Sequence, residues 1–381
     1  PKGVVALVTP WNLPLAIPLR GMIPALLSGN VVILKPSEHT PRIGALIAEI
    51  FQQHLPAGVV QLIQGAGDRG AALVEAGPDP VFFTGSVATG KKVAMAAAQQ
   101  GTQAALELGG KDAAVVLYDA DLERAAAGIT WAAFGFGGQN CAAVERCYVH
   151  ESVYSEFLDK VLARTRALRP MADLGPLVTA AQLKIVQTQI AQAVESGATI
   201  QTGGHAPGPG FYHEPTVLTD LDPQMDIMRQ ETFGPVLPIL PFSDLDQTIE
   251  EVNSTEFGLT TSVWTRNLSL GEALASSFEC GVVTVNNHSF TGALPDGAWC
   301  GVKSSGNGVT NSRFSLYEMT RPRTIVIDSM KGPREMWWYP YNDALNRVAR
   351  GMIQLASPSE SSLDGVKSAL TGLLNRWKEE N

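Results

Sequence analysis

The sequence predicts an α/β protein built from two sheet-centred domains, and three observations carry that reading. Short β-rich runs alternate with helical ones from the first residues to about residue 285. Several of those runs are apolar throughout, the pattern of parallel strands covered on both faces. Glycines stand at strand-to-helix junctions, as at Gly65 and Gly85.

Strands are expected at 4–8, 31–34, 59–63, 81–84 and 103–107, with helices at 15–27, 43–51, 69–76 and 87–99 between them. Pro41 and Pro56 mark the start and stop of the second helix. Together these form a first domain, residues 1–110, around a doubly wound parallel sheet. Alternation resumes with a strand at 113–117, a helix at 121–134, a strand at 145–149 and a helix at 151–168. It continues beyond a Gly/Pro-rich loop at 203–210. Residues 111–305 therefore read as a second α/β domain. The stretch 286–313 is rich in Gly, Ser and Asn and reads as loops, and 323–328 reads as one more strand closing a segment 306–328. The tail, 329–381, differs. It carries Trp337-Trp338-Tyr339-Pro340-Tyr341, then Leu363, Val366, Leu370, Leu373, Leu374 and Trp377 at helical spacing. One amphipathic helix is expected there, docked on the parent fold or contacting a membrane or partner.

Composition narrows the function classes. The 381 residues suffice for two or three domains. A net charge of −9 and the absence of a basic block argue against a nucleic-acid partner. Four cysteines without a Cys-x-x-Cys pair read as reduced thiols of a cytoplasmic protein, and six scattered histidines give no metal site. No run of about 18 or more apolar residues argues for a membrane span. The chain opens Pro1-Lys2-Gly3, without an initiator Met and directly at a strand-like run, and is read as a piece of a longer protein.

Three local patterns bear chemistry. Cys141 sits in Gly137-Gly138-Gln139-Asn140-Cys141, Glu107 precedes Leu108-Gly109-Gly110-Lys111, and Asn12 lies in Pro10-Trp11-Asn12-Leu13-Pro14. A thiolate adds readily to an aldehyde carbonyl. The oxyanion so formed needs preorganised donors, which the Asn12 amide and the Cys141 N–H offer. A thioester left after loss of hydride needs an activated water, which a carboxylate such as Glu107 can supply. Taken singly, each residue has a plainer reading: a buried apolar cysteine, a turn asparagine, a solvated acid.

Nucleotide-binding features are also present. Gly65-Ala66-Gly67-Asp68-Arg69-Gly70 has the spacing of a dinucleotide fingerprint but follows the third strand rather than the first, and reads equally as a tight turn. Gly85-Ser86 ends a strand and opens a helix, where free N–H groups would attract a pyrophosphate, although Ser86 could simply cap. Lys35-Pro36-Ser37-Glu38 follows a buried-looking strand. Its Lys and Glu could reach a ribose or form a solvated surface pair.

With these runs in place the sequence resembles the aldehyde dehydrogenase superfamily. Further matches are Phe83-Thr84-Gly85-Ser86, Glu231-Thr232-Phe233-Gly234-Pro235, Asn253 with Phe257-Gly258-Leu259, and Gly301-Val302-Lys303-Ser304-Ser305-Gly306, in the family's order over residues 3 to 328. The resemblance implies an aldehyde-dehydrogenase-like fold with a parallel-sheet coenzyme domain, an α/β catalytic domain and a small oligomerisation strand region. It also implies NAD as cofactor, with NADP possible, a small-molecule aldehyde as substrate, and a homo-oligomer in the full-length parent. It assigns Cys141 as nucleophile, Glu107 as general base and Asn12 as oxyanion donor. Trp11, Lys35, Ser37, Glu38, Gly65, Gly85, Ser86, Leu108, Glu231 and Phe233 would hold the coenzyme, with Lys35 and Glu38 on the adenosine ribose, Gly65 at the adenine pocket and Glu231 on the nicotinamide ribose. No metal is implied. Trp299-Cys300 departs from the family's usual aromatic-Gly pair, the tail is longer than in most members, and the family's usual N-terminal portion is missing. The tail gives a looser similarity to bacterial succinate-semialdehyde dehydrogenases and with it the alternative of a semialdehyde-specific enzyme; the missing N-terminal portion gives the other alternative, a catalytically inactive fragment with a binding role.

Overall fold

A computed structural model describes residues 1–288, 291–329, 334–339, 341–357, 362–376 and 378. The chain divides into two compact units, Pro1–Arg321 and Pro322–Asn381.

The first unit opens with five parallel strands: β1 (Val4–Val8), β2 (Val31–Lys35), β3 (Val60–Leu62), β4 (Pro80–Thr84) and β5 (Gln103–Glu107). They are linked by α1 (Ala16–Leu27), α2 (Pro41–His54), α3 (Gly67–Glu75) and α4 (Val87–Gln99). Strand order is β3-β2-β1-β4-β5, so the winding reverses between β1 and β4. Alternate residues of the strands face opposite layers. Val5, Leu7, Val32 and Leu34 join one buried cluster, and Ala6, Val81 and Phe83 join the other. This two-sided burial is why the strands read as continuous apolar runs.

A second, seven-stranded sheet follows. Its strands are β6 (Asp112–Val116), β7 (Val144–His150), β8 (Thr199–Thr202), β9 (Thr216–Thr219), β10 (Val236–Phe242), β12 (Thr260–Trp264) and β13 (Val282–Val285), in the order β13-β12-β6-β7-β10-β9-β8. Only β8 and β9 pair antiparallel. Helices α5 (Leu122–Phe134), α6 (Tyr154–Arg166), α7 (Ala180–Glu195), α8 (Asp226–Arg229), α9 (Leu245–Asn253) and α10 (Leu268–Ala275) accompany it. Side chains cap several of them, Asp121 accepting from the Arg124 N–H and Thr179 from the Gln182 N–H. The stretch expected as loops holds short paired strands instead. β11 (Phe257–Gly258) pairs with β15 (Val302–Lys303), and β14 (Trp299–Cys300) with β16 (Val309–Thr310). A short helix, α11 (Phe314–Glu318), follows.

In the second unit, α12 (Asp343–Ala356) and α13 (Ser362–Asn375) pack against each other. Small residues set the approach: a Cβ on Gly351 would lie 2.5 Å from the Ala369 nitrogen, and one on Gly372 would lie 2.6 Å from the Ala344 oxygen. Two sequence expectations are corrected here. The strand expected at 323–328 is irregular chain, with Ile325, Val326 and Ile327 exposed. A strand needs a neighbouring strand, and Ile325, Val326 and Ile327 pair with none among the described residues. The tail also holds two helices rather than one. In α12, Asp343, Asn346, Arg347, Arg350 and Gln354 recur at helical spacing on a face other than that of the buried Ala344, Val348 and Gly351, an amphipathic pattern the sequence did carry. Trp377 and Pro340, counted above with the helix and the aromatic cluster, lie outside the described residues.

Candidate active site

The reversal of winding between β1 and β4 creates a crevice at the carboxyl ends of the strands, the usual ligand position in such sheets. The segment after β1 carries Pro10-Trp11-Asn12, the one after β4 carries Gly85-Ser86, and β5 ends on Glu107.

Cys141 comes from the second sheet. The chain leaves α5 through Phe136, Gly137 and Gly138, three successive residues at positive φ (56°, 69° and 68°). At Gly138 the turn tolerates no side chain, since a Cβ would lie 2.1 Å from the Gly234 carbonyl oxygen. Gln139 then fastens the loop, accepting from the Val178 N–H at 2.9 Å. Asn12 Nδ2 donates to the Gln139 carbonyl at 3.1 Å, which holds its amide beside the cysteine loop.

Two cavities meet at this point. One, of about 380 Å³, is lined mainly by apolar groups including Leu13, Ile17, Trp131, Phe136 and Trp299. The other, of about 280 Å³, is lined by Trp11, Asn12, Gly85, Ser86, Glu231 and Phe233 among others. Cys141, Glu107 and Leu108 line both.

Glu107 is buried and Cys141 half-buried. Burial pushes the Cys141 thiol up to about 12; Asp112, Glu107 and Glu231 add to the shift and Arg20 opposes it. Burial likewise raises the Glu107 carboxyl well above its usual range, against the Arg20 charge and the Trp299 indole. Glu107 Oε1 has no hydrogen-bond partner among the described residues. Among those residues no group of three or more His, Cys, Asp or Glu could hold a metal, and all four cysteines are free thiols.

The smaller cavity has a cradle. The Glu231 carboxylate accepts from the Gly110 N–H at 3.2 Å, and a Cβ on Gly109 would lie 2.3 Å from it. Burial raises the Glu231 carboxyl to about 8, with Glu145 contributing. Phe233, at φ 49°, meets the Trp11 ring edge-on at 5.6 Å. Ser86 caps α4, its hydroxyl accepting from the Thr89 N–H at 3.3 Å.

The remaining predicted residues lie away from the cysteine. Lys35 is buried at the end of β2, with its ammonium 3.4 Å from the half-exposed Glu38 carboxylate and Ser37 adjoining. Burial tends to raise the Glu38 carboxyl, but its own backbone N–H and Lys35 outweigh that and hold it low. Gly65, at φ 140°, follows β3, the edge strand, two strands from the crevice. The helix after β4, not the one after β3, opens on the winding reversal.

The family profile described as "Aldehyde dehydrogenase family" matches residues 1–325. The chain belongs to the aldehyde dehydrogenase family. A 4,4'-diapolycopene aldehyde oxidase from Methylomonas sp is 38% identical over 374 residues, 95% of this chain and 69% of that protein. Lactaldehyde dehydrogenase of Escherichia coli (strain K12) is 36% identical over 338 residues, 86% of this chain and 70% of the relative. Among solved structures, an NAD-dependent aldehyde dehydrogenase from Sinorhizobium meliloti superposes with a TM-score of 0.85 at 32% identity, covering 89% of this chain and 69% of that one. The chain thus spans about 70% of the length of these relatives.

Sequence reasoning missed several residues that shape this aldehyde dehydrogenase site. Lys111 and Glu145 form a buried ion pair at 2.6 Å, and Glu145 also accepts from the Thr232 and Phe233 N–H groups at 2.7 and 2.8 Å. Asp112 accepts from the Thr260 N–H at 3.0 Å, and Thr260 lies 3.3 Å from His288, whose Nε2 is 3.1 Å from the Ala142 carbonyl. The signal was available: Glu145-Arg146 interrupts an apolar strand, and a charge there must be paired.

Proposed function

We propose that the chain oxidises an aldehyde to a carboxylic acid with a nicotinamide coenzyme, through acyl transfer to Cys141. The observation that carries this reading is that Cys141 and Glu107 form the wall common to the two cavities. A nucleophile and a base standing between an apolar chamber and a nucleotide-sized crevice suit a reaction joining an organic substrate to a coenzyme.

The smaller cavity fits the nicotinamide end. Trp11 and Phe233 offer ring surfaces, Glu231 an acceptor for ribose hydroxyls, Leu108 an apolar contact, and the Cβ-free Gly109-Gly110 backbone a close approach. Gly85 and Ser86 would take the pyrophosphate, and Lys35, Ser37, Glu38 and Gly65 the adenosine end. Glu38 favours NAD, while Lys35 leaves NADP open. When bound, the coenzyme supplies the hydride acceptor.

The chain's own groups do the rest. Cys141 Sγ bonds to the aldehyde carbon as the carbonyl π bond opens and the thiol proton leaves to solvent, giving a thiohemiacetal oxyanion that faces Asn12 Nδ2 and the Cys141 N–H. After hydride loss the acyl group remains on Sγ as a thioester. Glu107 takes a proton from the attacking water, and the thioester breaks to carboxylic acid and thiol. Residues 1–110 act as the coenzyme domain, 111–305 as the catalytic domain, 306–328 as a return and oligomerisation segment and 329–381 as an appended tail. Cytoplasmic placement and homo-oligomeric assembly of the parent protein are part of the same reading. No helix among the described residues is long and apolar enough to cross a membrane.

The test is reduced-coenzyme formation with a panel of aldehydes and both coenzymes, alongside thermal shift with NAD+. Turnover with release of the acid supports the reading. A coenzyme-dependent shift without turnover would leave only a binding role, and neither response would overturn both.

A further inference from the structure

Cys141 stands at the corner of a tight turn. The Ala143 N–H donates to the Asn140 carbonyl at 2.9 Å and closes it, with Cys141 and Ala142 as the two central residues. Inside the turn, Asn140 Oδ1 accepts from the Ala142 N–H at 3.3 Å and lies 3.7 Å from Cys141 Sγ. The peptide that leaves the turn is held from outside. Its carbonyl, that of Ala142, meets His288 Nε2 at 3.1 Å. His288 follows β13, the edge strand of the second sheet, and is buried. A carbonyl only accepts, so Nε2 carries the ring proton. Burial keeps the imidazole neutral, pulling its titration down to about 4. Nδ1 has no partner among the described residues, so none of them grips the ring from that side.

The ring is aimed from the Nε2 side. Thr260 Oγ1 lies 3.3 Å from Nε2, and Asp112 fixes Thr260 twice, accepting from its N–H at 3.0 Å and meeting its hydroxyl at 2.5 Å. Asp112 also backs onto the turn: a Cβ on Gly110 would lie 2.6 Å from Asp112 Oδ1 and 2.9 Å from the Cys141 carbonyl oxygen. Buried polar groups thus run from the start of β6, through the start of β12 and the end of β13, to the peptide after Cys141. We propose that His288 is a positioning residue for the nucleophile: its Nε2–H, aimed by Thr260 and Asp112, fixes the exit peptide of the turn and with it the direction of the Cys141 thiol and N–H. This rests on the reading of Cys141 as the nucleophile. The Cys141 N–H belongs to the turn, whereas the Asn12 amide is tied to the Gln139 carbonyl just before it. A small rotation of the turn therefore moves the thiol and one oxyanion donor away from the other.

The experiment uses the 381-residue chain with His288→Leu, His288→Gln and Thr260→Val. Rapid mixing with NAD+ and the fastest member of an acetaldehyde-to-hexanal series reads the first turnover. Iodoacetamide alkylation at fixed pH, followed by peptide mapping, reads each cysteine. His288→Leu should slow first-turnover formation of reduced coenzyme by about tenfold to a hundredfold with the KM for NAD+ unchanged, the span that a misplaced reacting group brings. It should also speed alkylation of Cys141 by about tenfold, because water reaching the loosened turn makes the thiolate easier to form. Cys147, Cys280 and Cys300 should keep their rates. His288→Gln, which retains a donor at the same reach, should restore most of both properties, and Thr260→Val should fall between. An unchanged first turnover in His288→Leu, or faster alkylation at all four cysteines alike with no rescue by His288→Gln, would overturn the proposal and leave His288 as a packing residue. Should His288→Leu fail to fold, Thr260→Val decides alone, and wild-type rates there overturn the proposal. If the wild type oxidises no aldehyde, the oxidation reading fails, and the selective change at Cys141 still decides whether His288 holds the turn.

Discussion

The ammonium of Lys111 lies 2.6 Å from the Glu145 carboxylate with both side chains out of water, and the two oxygens of that carboxylate also hold the N–H groups of Thr232 and Phe233. One buried pair thus ties the start of the second sheet to the segment that presents Glu231. Glu145→Gln leaves Lys111 charged and unpaired. A stability loss of about 3–5 kcal/mol is expected, read from denaturant midpoints. Coenzyme affinity should weaken with it, as Glu231 and Phe233 lose their tether. Unchanged affinity in a folded variant would show that the tether is not needed for binding.

Cys141→Ala should abolish turnover, whereas Cys147→Ala, Cys280→Ala and Cys300→Ala should keep most of it. Without coenzyme, alkylation of Cys141 by iodoacetamide should be slow near neutrality and rise about tenfold per pH unit, because its thiol titrates near 12. Fast, pH-independent alkylation at Cys141, located by peptide mapping, contradicts this.

Glu107→Gln should slow thioester hydrolysis more than hydride loss. Rapid mixing should show a burst of reduced coenzyme followed by a slow phase. Equal loss of burst and steady state, with no acyl-enzyme detected by mass, assigns the water-activating role elsewhere.

Asp112 and Glu231 make stability fall as pH rises. Burial lifts both to about 8 in the fold, from 3.8 and 4.5. Between those values the folded chain holds protons that the unfolded chain has lost. Their stabilising contribution is therefore complete below the unfolded values and is lost as pH climbs through about 8. The slope is at most about 1.4 kcal/mol per pH unit for each group. Asp112→Asn should flatten the dependence of urea midpoints over this range, and an unaltered slope counts against the assignment.

On the proposed reading, coenzyme choice turns on Glu38. A 2′-phosphate beside its carboxylate would meet a like charge, a penalty on the order of 1–3 kcal/mol that the Lys35 ammonium partly offsets. Glu38→Gln should move the ratio of catalytic efficiencies toward NADP+. A ratio that stays put shows that Glu38 does not read the ribose.

The sequence was most legible where one local pattern decides one structure. β1, α4 and β5 fall where apolar runs and the glycine-marked turns put them, because both faces of the first sheet are buried and no register ambiguity arises. Cys141, Glu107 and Asn12 stood out as motifs because Cys141 follows a glycine turn, Glu107 ends a strand and Asn12 lies between prolines. What stayed hidden was pairing across long separations. Nothing local to Lys111 names Glu145, and nothing in α1 says that Arg20 faces a cavity rather than solvent, although a lone arginine in an apolar helix was a usable hint. Ile325, Val326 and Ile327 failed for the opposite reason. Their β-propensity is real, but propensity does not supply a neighbouring strand.

Because Cys141 and Glu107 line both chambers, the proposed reading gives the aldehyde and the coenzyme a chamber each beside the same thiol. Widening the larger chamber by trimming Trp131 or Phe136 should therefore enlarge the range of aldehydes accepted while leaving the nucleotide's side of the wall as it is.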